Sequence, residues 1–508
     1  MRNLIFLLGC FLCFIGSNYA QSNLGKAWVN GSSGIIRGTR FNIDSIVSQY
    51  VLKLSNSISF ASGSSNICDT NGKLILLCNG HNIYDSTLNL IENGDSLTFL
   101  SHYLHDYFGG YSDLEQGSLI LPFSNNQYKV VNLAQSDSEY ASQNTTWFFP
   151  PDFLLYSDVD MNANNGAGKV ISKRQLIDKG RFAYIGMQAV RHANGHDWWL
   201  VKQCYDSLAF YTYLLTDTGV IIMGLQKFNG LPKINIVSEG QIMFNNKGNK
   251  MITVNKGVPE CNYLFLFDFN RCTGKLSNHK VIRHPYYTVP EVGNAIDSSM
   301  SGCCFSPNDS FIYLSKSGGI LQYDLFPKAG DTTWVKIAGL DTSWAAFTSY
   351  GNIFPGPDGK IYISNWNYTS NQISVINKPN KKGLASEFCP RCLRFDTVYN
   401  YPGIGGPPNM PNYALVADSS SCWPLSNVQL AMSPNREQLK VYPNPACSNV
   451  IIDVGELTKN NICIINAAGQ VLYNQKPKTV KTTIDVSQWA SGVYFVRYGS
   501  KVKRLVIG

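Results

Sequence analysis

Three places in this chain hold residues whose types and spacing could do chemistry. His192 and His196 flank a turn at Asn194-Gly195, with Asp197 adjacent. Two imidazoles across a turn can share a metal, but no third ligand stands at a fixed spacing, so the residues also read as an exposed turn with polar flanks, and no metal site is assigned. Asp158, Asp160, Asn162 and Asn164 alternate before Gly166, an oxygen pattern suited to calcium. Ala163 stands where a calcium loop needs its glycine and no Glu closes the run, so the segment reads equally as a polar loop whose Asn and Asp favour turns. Calcium is the one cofactor the sequence suggests, and none is required. The third place is the connection from Gly94 to Gln116, which crowds together His102, Tyr103, His105, Asp106, Tyr107, Phe108 and Tyr111. Long connections on rigid scaffolds often carry function, and aromatic rings there could stack on sugars or peptide side chains. His102, Tyr103, His105, Tyr107 and Tyr111 are therefore the candidate ligand-binding residues; packing against a neighbouring element is the structural alternative.

Signals of nucleophilic catalysis are missing. The sequence has no Gly-x-Ser-x-Gly elbow, no His-Glu-x-x-His and no phosphate-binding Gly-rich loop. No catalytic residue is assigned and the reading leans away from an enzyme. Two carboxylates converging in space, as in glycoside hydrolysis, would leave no mark at fixed spacing. A carbohydrate-active enzyme of glycosidase or lyase type is therefore the alternative to a binding protein.

Fourteen cysteines are present. Cys261 and Cys272 flank an extended run, Tyr263 to Phe269, whose ends lie roughly 20 Å apart at about 3.3 Å per residue, beyond disulfide reach. Cys303 and Cys304 are adjacent and should face opposite sides of a strand. Cys389-Pro390-Arg391-Cys392 is a lone CxxC, read as a structural loop pair or as unpaired thiols.

The elements that must position these residues are hairpins. Apolar stretches turn at Asn71-Gly72, Asn125-Asn126, Asn194-Gly195, Lys247-Gly248, Asn308-Asp309 and Asp358-Gly359 into second apolar stretches. The turns lie about 50 to 70 residues apart, enough for a four-stranded blade plus loops, and are of the kind that matches strand twist. A seventh such unit is expected near the N-terminus, at Ala27-Trp28-Val29, Asn30-Gly31 and Ile35-Ile36. Such hairpins are too small to be stable alone, and a ring of stacked units leaves few exposed edges. The expectation is an all-β chain: a β-propeller of seven blades, six being the alternative, followed by a small C-terminal Ig-like β-sandwich. Two β-sandwiches are the competing architecture for the body.

Charge divides unevenly. The formal net charge is +8, but from Asn435 onward ten Lys/Arg face four Asp/Glu, so the body is close to neutral. A neutral body gives no electrostatic case for nucleic-acid or anionic-membrane binding. At the N-terminus Arg2 precedes an apolar run from Leu4 to Gly16, the length of a signal-peptide core and too short to cross a membrane. No later run is long and apolar enough to cross as a helix. The organisation read from the sequence is a signal peptide at 1–20, a propeller body at 21–423, a linker at 424–436 and a terminal domain at 437–508.

That terminal domain carries three ordered landmarks: Tyr442-Pro443-Asn444-Pro445-Ala446, Gly469-Gln470-Val471, and Ser491-Gly492-Val493-Tyr494-Phe495, with a basic strand from Lys501 to Ile507. It resembles the type A C-terminal sorting domain of type IX secretion, the outer-membrane export route of Bacteroidota. The resemblance makes Tyr442, Pro443, Asn444, Pro445, Gly469, Gly492 and Tyr494 the sorting signal. It implies recognition by the secretion machinery, removal by a sortase-like peptidase, and display at the outer-membrane surface or release. The phrases Cys68-Asp69-Thr70-Asn71-Gly72-Lys73-Leu74, Ala193-Asn194-Gly195-His196-Asp197-Trp198-Trp199, Phe267-Asp268-Phe269-Asn270-Arg271-Cys272-Thr273-Gly274 and Pro408-Asn409-Met410-Pro411-Asn412-Tyr413 resemble exported WD40-like propeller proteins of the same bacteria. That group implies a binding scaffold with no settled activity.

Overall fold

The computed structural model describes residues 23–418 and 439–507, apart from 33–34, 42–45, 54–57, 61–62, 99–113, 137–149, 233, 236–239, 258–260, 286–287, 290–294, 297–299, 317, 340–349, 366–371, 395–405, 456, 458–459, 467–469 and 499–500. The chain divides into two compact units, Met1–Cys422 and Trp423–Gly508.

Among the described residues the first unit holds seven antiparallel sheets of three to five strands in chain order, and a two-stranded ladder of Thr288–Val289 with Ala295–Ile296 between the fifth and the sixth. Each begins with its innermost strand. Blade 1 runs through Ala27–Ser32, Ile35–Phe41 and Ile46–Lys53, and blade 2 through Ser65–Cys68, Leu74–Cys78 and Ile83–Asp85. Blade 3 holds Ser118–Pro122, Gln127–Ala134, Phe153–Asp160 and Lys169–Lys179, and blade 4 holds Phe182–Arg191, Trp198–Cys204, Phe210–Thr216 and Gly219–Gln226. Blade 5 holds Ile242–Phe244, Lys250–Gly257, Cys261–Asn270 and Lys275–Pro285, with the short Ile234–Asn235 also paired to Lys250–Gly257. Blade 6 (Met300–Phe305, Phe311–Lys316, Gly319–Asp324, Trp334–Gly339) and blade 7 (Tyr350–Pro355, Ile361–Asn365, Gln372–Ile376, Phe388–Arg394) complete the set.

Packing between sheets decides the architecture. Blades 2, 3 and 4 share one core through Ile67, Leu119, Val130 and Trp198. Blades 4 and 5 meet at Trp199, Val201, Met251 and Phe267, blades 5 and 6 at Val254, Leu264, Cys303 and Leu314, and blades 6 and 7 at Tyr313, Ile320, Ile353 and Ile361. Blade 7 then packs on blade 1, with the Trp28 ring 5.0 Å and the Phe41 ring 5.7 Å from Tyr362. Blade 1 in turn meets blade 2 through Val29, Ile36, Leu77 and Tyr84. The circle is complete: the body is a seven-bladed β-propeller.

The ring explains the sequence pattern. A second strand is covered on both faces by neighbouring blades, so it reads as an unbroken apolar run rather than an alternation. Trp198–Cys204 is buried at every position, and so is Phe311–Lys316. Six of the expected turns join first and second strands. The N-terminal unit differs: Asn30-Gly31 lies inside the strand Ala27–Ser32, paired with Arg37 and Ile36, and makes no turn. Cys303 and Cys304 do face opposite blades, one in the core with blade 5 and the other in the core with blade 7. Cys389 and Cys392 form a disulfide, and Cys272 is also disulfide-bonded.

One lysine is folded into this core. Lys202 is fully buried, and its Nζ donates to the carbonyls of Ala183 (2.6 Å) and Ile185 (2.7 Å) where the ladder slips between Phe182 and Met187. Burial pushes its ammonium well below the ordinary lysine range.

In the second unit, Lys440–Tyr442, Asn449–Asp453 and Lys481–Asp485 form one sheet, and Val471–Gln475, Ile462–Asn466, Gly492–Tyr498 and Lys501–Ile507 form the other. The two share one core of Val450, Ile452, Ile464, Ile484, Val496 and Leu505. Along Gly492–Tyr498, Tyr494, Val496 and Tyr498 point inward while Val493 and Phe495 point out, the alternation expected of a sandwich face.

Candidate functional site: the hairpin face of the ring

Each first-to-second-strand turn lies at the same end of its blade, so the six turns gather on one face. Residues 406–418 cross the centre of that face and belong to no ladder. Asn409, 1% exposed, joins three blades. Its N–H donates to Ser64 O (2.9 Å), its Nδ2 to Ser118 O (3.2 Å) and Met187 O (3.4 Å), and its Oδ1 accepts from Gln188 Nε2 (3.0 Å). Tyr413 donates its hydroxyl to Ile120 O at 2.8 Å, with its ring 6.1 Å from Trp198. Asn412 donates to Asn246 O, and Asp418 N–H donates to Ala193 O. This strap is fastened by side chains to inner strands that came from all over the sequence.

Arg271 anchors its far end. The guanidinium donates to Arg191 O (2.9 Å), Val416 O (2.7 Å) and His192 O (3.4 Å). Burial pulls its pKa down while Asp418 raises it. Glycine is required where the strap touches the turns. Gly248 has φ +69°, and a Cβ there would come within 2.9 Å of Leu415. Gly195 has φ +75°, and its Cβ would meet Ala417 N at 2.8 Å.

Between the strap and the turns of blades 5, 6 and 7 lies a cleft of about 530 Å³. Its polar lining includes Lys247, Asn249, Arg271 and Asp418; Phe305, Pro307, Pro355 and Leu415 supply apolar surface. The blade 5 turn is rigid. Asn246 N–H and Asn245 Nδ2 donate to the Asp309 carboxylate at 3.0 and 2.9 Å, and Asn246 Nδ2 donates to Pro307 O. Burial raises the Asp309 pKa against these bonds. Lys247 at the tip is exposed. A smaller cavity of about 140 Å³ lies by Trp28, Gln188, Met243, Phe354 and Tyr413.

Glutamines span the start of the inner strands. Gln116 of the segment opening blade 3 exchanges two hydrogen bonds with Ile242 of blade 5 (2.9 and 3.0 Å). Gln241 receives Cys303 N–H and Ile353 N–H and donates to Ile353 O. Nearby, Asn352 donates to Glu115.

The residues singled out from sequence are placed as follows. His102, Tyr103, His105, Tyr107 and Tyr111 lie outside the described residues. His192 accepts from Asn194 N–H at 3.0 Å and sits 3.2 Å from Cys272 O, whereas His196 lies between Asp197 (3.0 Å) and Asp217 (3.4 Å). The two imidazoles thus have separate partners. Asp158 and Asp160 lie on a strand, not in a loop. Asp158 accepts from Lys129 at 2.6 Å and Ser172 at 2.5 Å, and Asn162 from Asn126 at 3.0 Å. Among the described residues no three His, Cys, Asp or Glu side chains gather as a metal set. Lys247, Asn409 and Tyr413 were not expected in a site; their signals were the Lys247-Gly248 turn and the proline-rich phrase from Pro408 to Tyr413.

In the terminal unit, Asn444 Oδ1 accepts from Val506 N–H (2.8 Å) and Ala446 N–H donates to Val506 O (2.9 Å). The Tyr442–Ala446 box thereby clasps the last strand. Gly492 pairs with Ile507, and Tyr494 is buried with its hydroxyl on Ala490 O; Gly469 lies outside the described residues. Residues 440–507 match the family model of the secretion system C-terminal sorting domain. The terminal unit is a sorting domain. It marks the chain for type IX export, to the medium or the cell surface, and no helix among the described residues is long and apolar enough to cross a membrane.

No curated protein sequence matches the chain significantly. Solved structures similar to it include a functionally unknown protein from Desulfotomaculum acetoxidans (10% identity, 76% of this chain and 99% of that one, TM-score 0.38). A periplasmic gluconolactonase from Pseudomonas aeruginosa matches at 11% identity over 78% and 90% of the two chains (TM-score 0.31). A putative 6-phosphogluconolactonase from Bacteroides uniformis matches at 12% over 90% and 96% (TM-score 0.34).

Proposed function

We propose that this exported propeller is a secreted or cell-surface binding or adhesion protein, led into the envelope by a signal peptide at residues 1–20. The observation that carries the reading is the cleft on the hairpin face. Its walls are turns fixed to neighbouring blades, its size falls in the range of about 300–1,000 Å³ used for small ligands, and among the described residues its lining holds a single carboxylate, Asp418. Hydrolysis of a glycosidic bond by acid and base needs two carboxylates, so this lining favours recognition over turnover. The aromatic segment from His102 to Tyr111 is a second proposed contact surface. The test is a glycan and peptide array with the purified full chain, followed by product analysis on every hit. Saturable binding without product is expected. Steady product release, abolished by changing one Asp or Glu, would overturn the reading.

A further inference from the structure

We infer that the hairpin-face cleft is a site for an acidic saccharide, with Lys247 contacting the carboxylate of a uronic-acid unit. The inference rests on the binding reading above and names its ligand class. Charge is the first argument. The lining holds two cations, Lys247 and Arg271, against one carboxylate, Asp418, although the body as a whole is nearly neutral. Arg271 is occupied by three backbone carbonyls. Lys247 is exposed and makes no side-chain hydrogen bond among the described residues. Its charge acts on the buried Asp309 carboxylate beneath the turn without a side-chain hydrogen bond, so its ammonium keeps its donors for a ligand, and its turn is held in place by the bonds of Asn246 to blade 6. Asn249 adds an amide: its Oδ1 accepts from Asn245 at 2.9 Å, which directs its NH2 group elsewhere.

Shape is the second argument. Pro307, Pro355 and Phe305 supply apolar surface, and Gly356 and Gly359 line the same cleft without side chains. A pyranose ring presents C–H groups on its faces and polar groups around its rim, and the cleft offers both kinds of surface within room for roughly one or two rings. A neutral sugar would leave the Lys247 ammonium unused; an acidic one engages it through a charge-assisted hydrogen bond.

The test is calorimetric titration of the full chain with glucuronate- and galacturonate-containing disaccharides, their neutral counterparts, and acidic peptides. Acidic sugars should bind at least about tenfold more tightly than neutral ones, a difference of about 1.4 kcal/mol. Lys247→Ala should erase that preference at an unchanged melting temperature, and Lys247→Arg should keep most of it. Equal binding of neutral sugars, preference for acidic peptides, no binding of uronates, or an unaltered Lys247→Ala protein would each overturn the site. Another ligand bound independently of Lys247 would sink the site but leave the binding reading. Turnover that still needs Lys247 would do the reverse.

Discussion

The two units of this protein are each finished by their own last segment, in opposite ways. The sandwich ends in a strand, Lys501–Ile507, paired along its length with Gly492–Tyr498 and clasped by Asn444 and Ala446. The propeller ends in a strap that joins no ladder and holds the ring through Asn409, Asn412 and Tyr413. Many propellers can close by pairing first and last strands in one blade; among the described residues blade 1 is built from the N-terminal side and blade 7 from strands that end at Arg394. Among the described residues closure rests on the apolar contact of Trp28 and Phe41 with Tyr362 and on the strap. A ladder distributes its stability over many equivalent bonds, whereas a strap concentrates it in a few side chains.

The largest expected effects come from removing a whole closing element. Deletion of residues 22–50 takes most of blade 1 out of the ring and uncovers blades 2 and 7, so the body should lose its cooperative melt by circular dichroism. Deletion of residues 501–508 strips Leu505 and Ile507 from the sandwich core; the sandwich should unfold and export should stop, while the body melts as before. A body that survives loss of blade 1 would show that the ring does not need to close.

A single strap residue comes next. Asn409→Ala leaves the buried Gln188 amide and the carbonyls of Ser118 and Met187 short of partners, while the backbone bond to Ser64 O remains. The expected cost is about 3 kcal/mol from these unmet groups, measured by urea denaturation, with the sandwich transition unchanged. A cost under about 0.5 kcal/mol would move closure wholly to blade 1.

Acid should separate the two units further. His81 of blade 2 is buried against Thr98, with Nδ1 2.8 Å from its hydroxyl, and burial lowers its pKa to about 4 from 6.5. The folded state then binds fewer protons than the unfolded one, so stability is full above pH 6.5 and falls as the pH drops toward 4. The loss should reach about 2 kcal/mol at pH 5. The sandwich has no histidine and should show no such step. A body as stable at pH 5 as at pH 7 would refute the assignment, and His81→Asn should remove the slope.

The contrast also explains what the sequence could disclose. Apolar runs, period-two alternation and tight turns are all local, so the second strands Leu74–Cys78 and Trp198–Cys204 with their turns, and the alternating sandwich strand Gly492–Tyr498, were legible. The seven-fold closure was legible only as a count of hairpins. At the N-terminus that reading misplaced a turn, because Asn30-Gly31 has turn composition but sits in a ladder. The strap was visible as a proline-rich phrase, yet nothing local says that Asn409 reaches Ser64, Ser118 and Met187, residues far away in the chain. The cleft was not legible at all, since Lys247 and Arg271 meet only through the pairing within blade 5, and Asp418 reaches them only through the strap. Asp158 shows the same limit: its partner Lys129 comes from the adjacent strand, a pairing that spacing along the chain does not reveal.

The smallest effect asks whether the strap acts as separate bonds or as one latch. Tyr413→Phe removes only the hydroxyl that donates to Ile120 O and keeps the ring beside Trp198. Loss of one such bond should cost about 1 kcal/mol. Asn409 and Tyr413 grip different carbonyls of blade 3 through a segment only four residues long, so some coupling is expected. If the bonds are separate, the double variant should lose the sum of the single losses to within about 0.5 kcal/mol. If the strap is a latch, either substitution frees it whole. Tyr413→Phe would then cost as much as Asn409→Ala, and the double variant would cost no more than either. Urea denaturation of the three variants measures all the terms. The ladder of Lys501–Ile507 gives the control: Val506→Ala, at a paired position, should cost little because the neighbouring bonds persist.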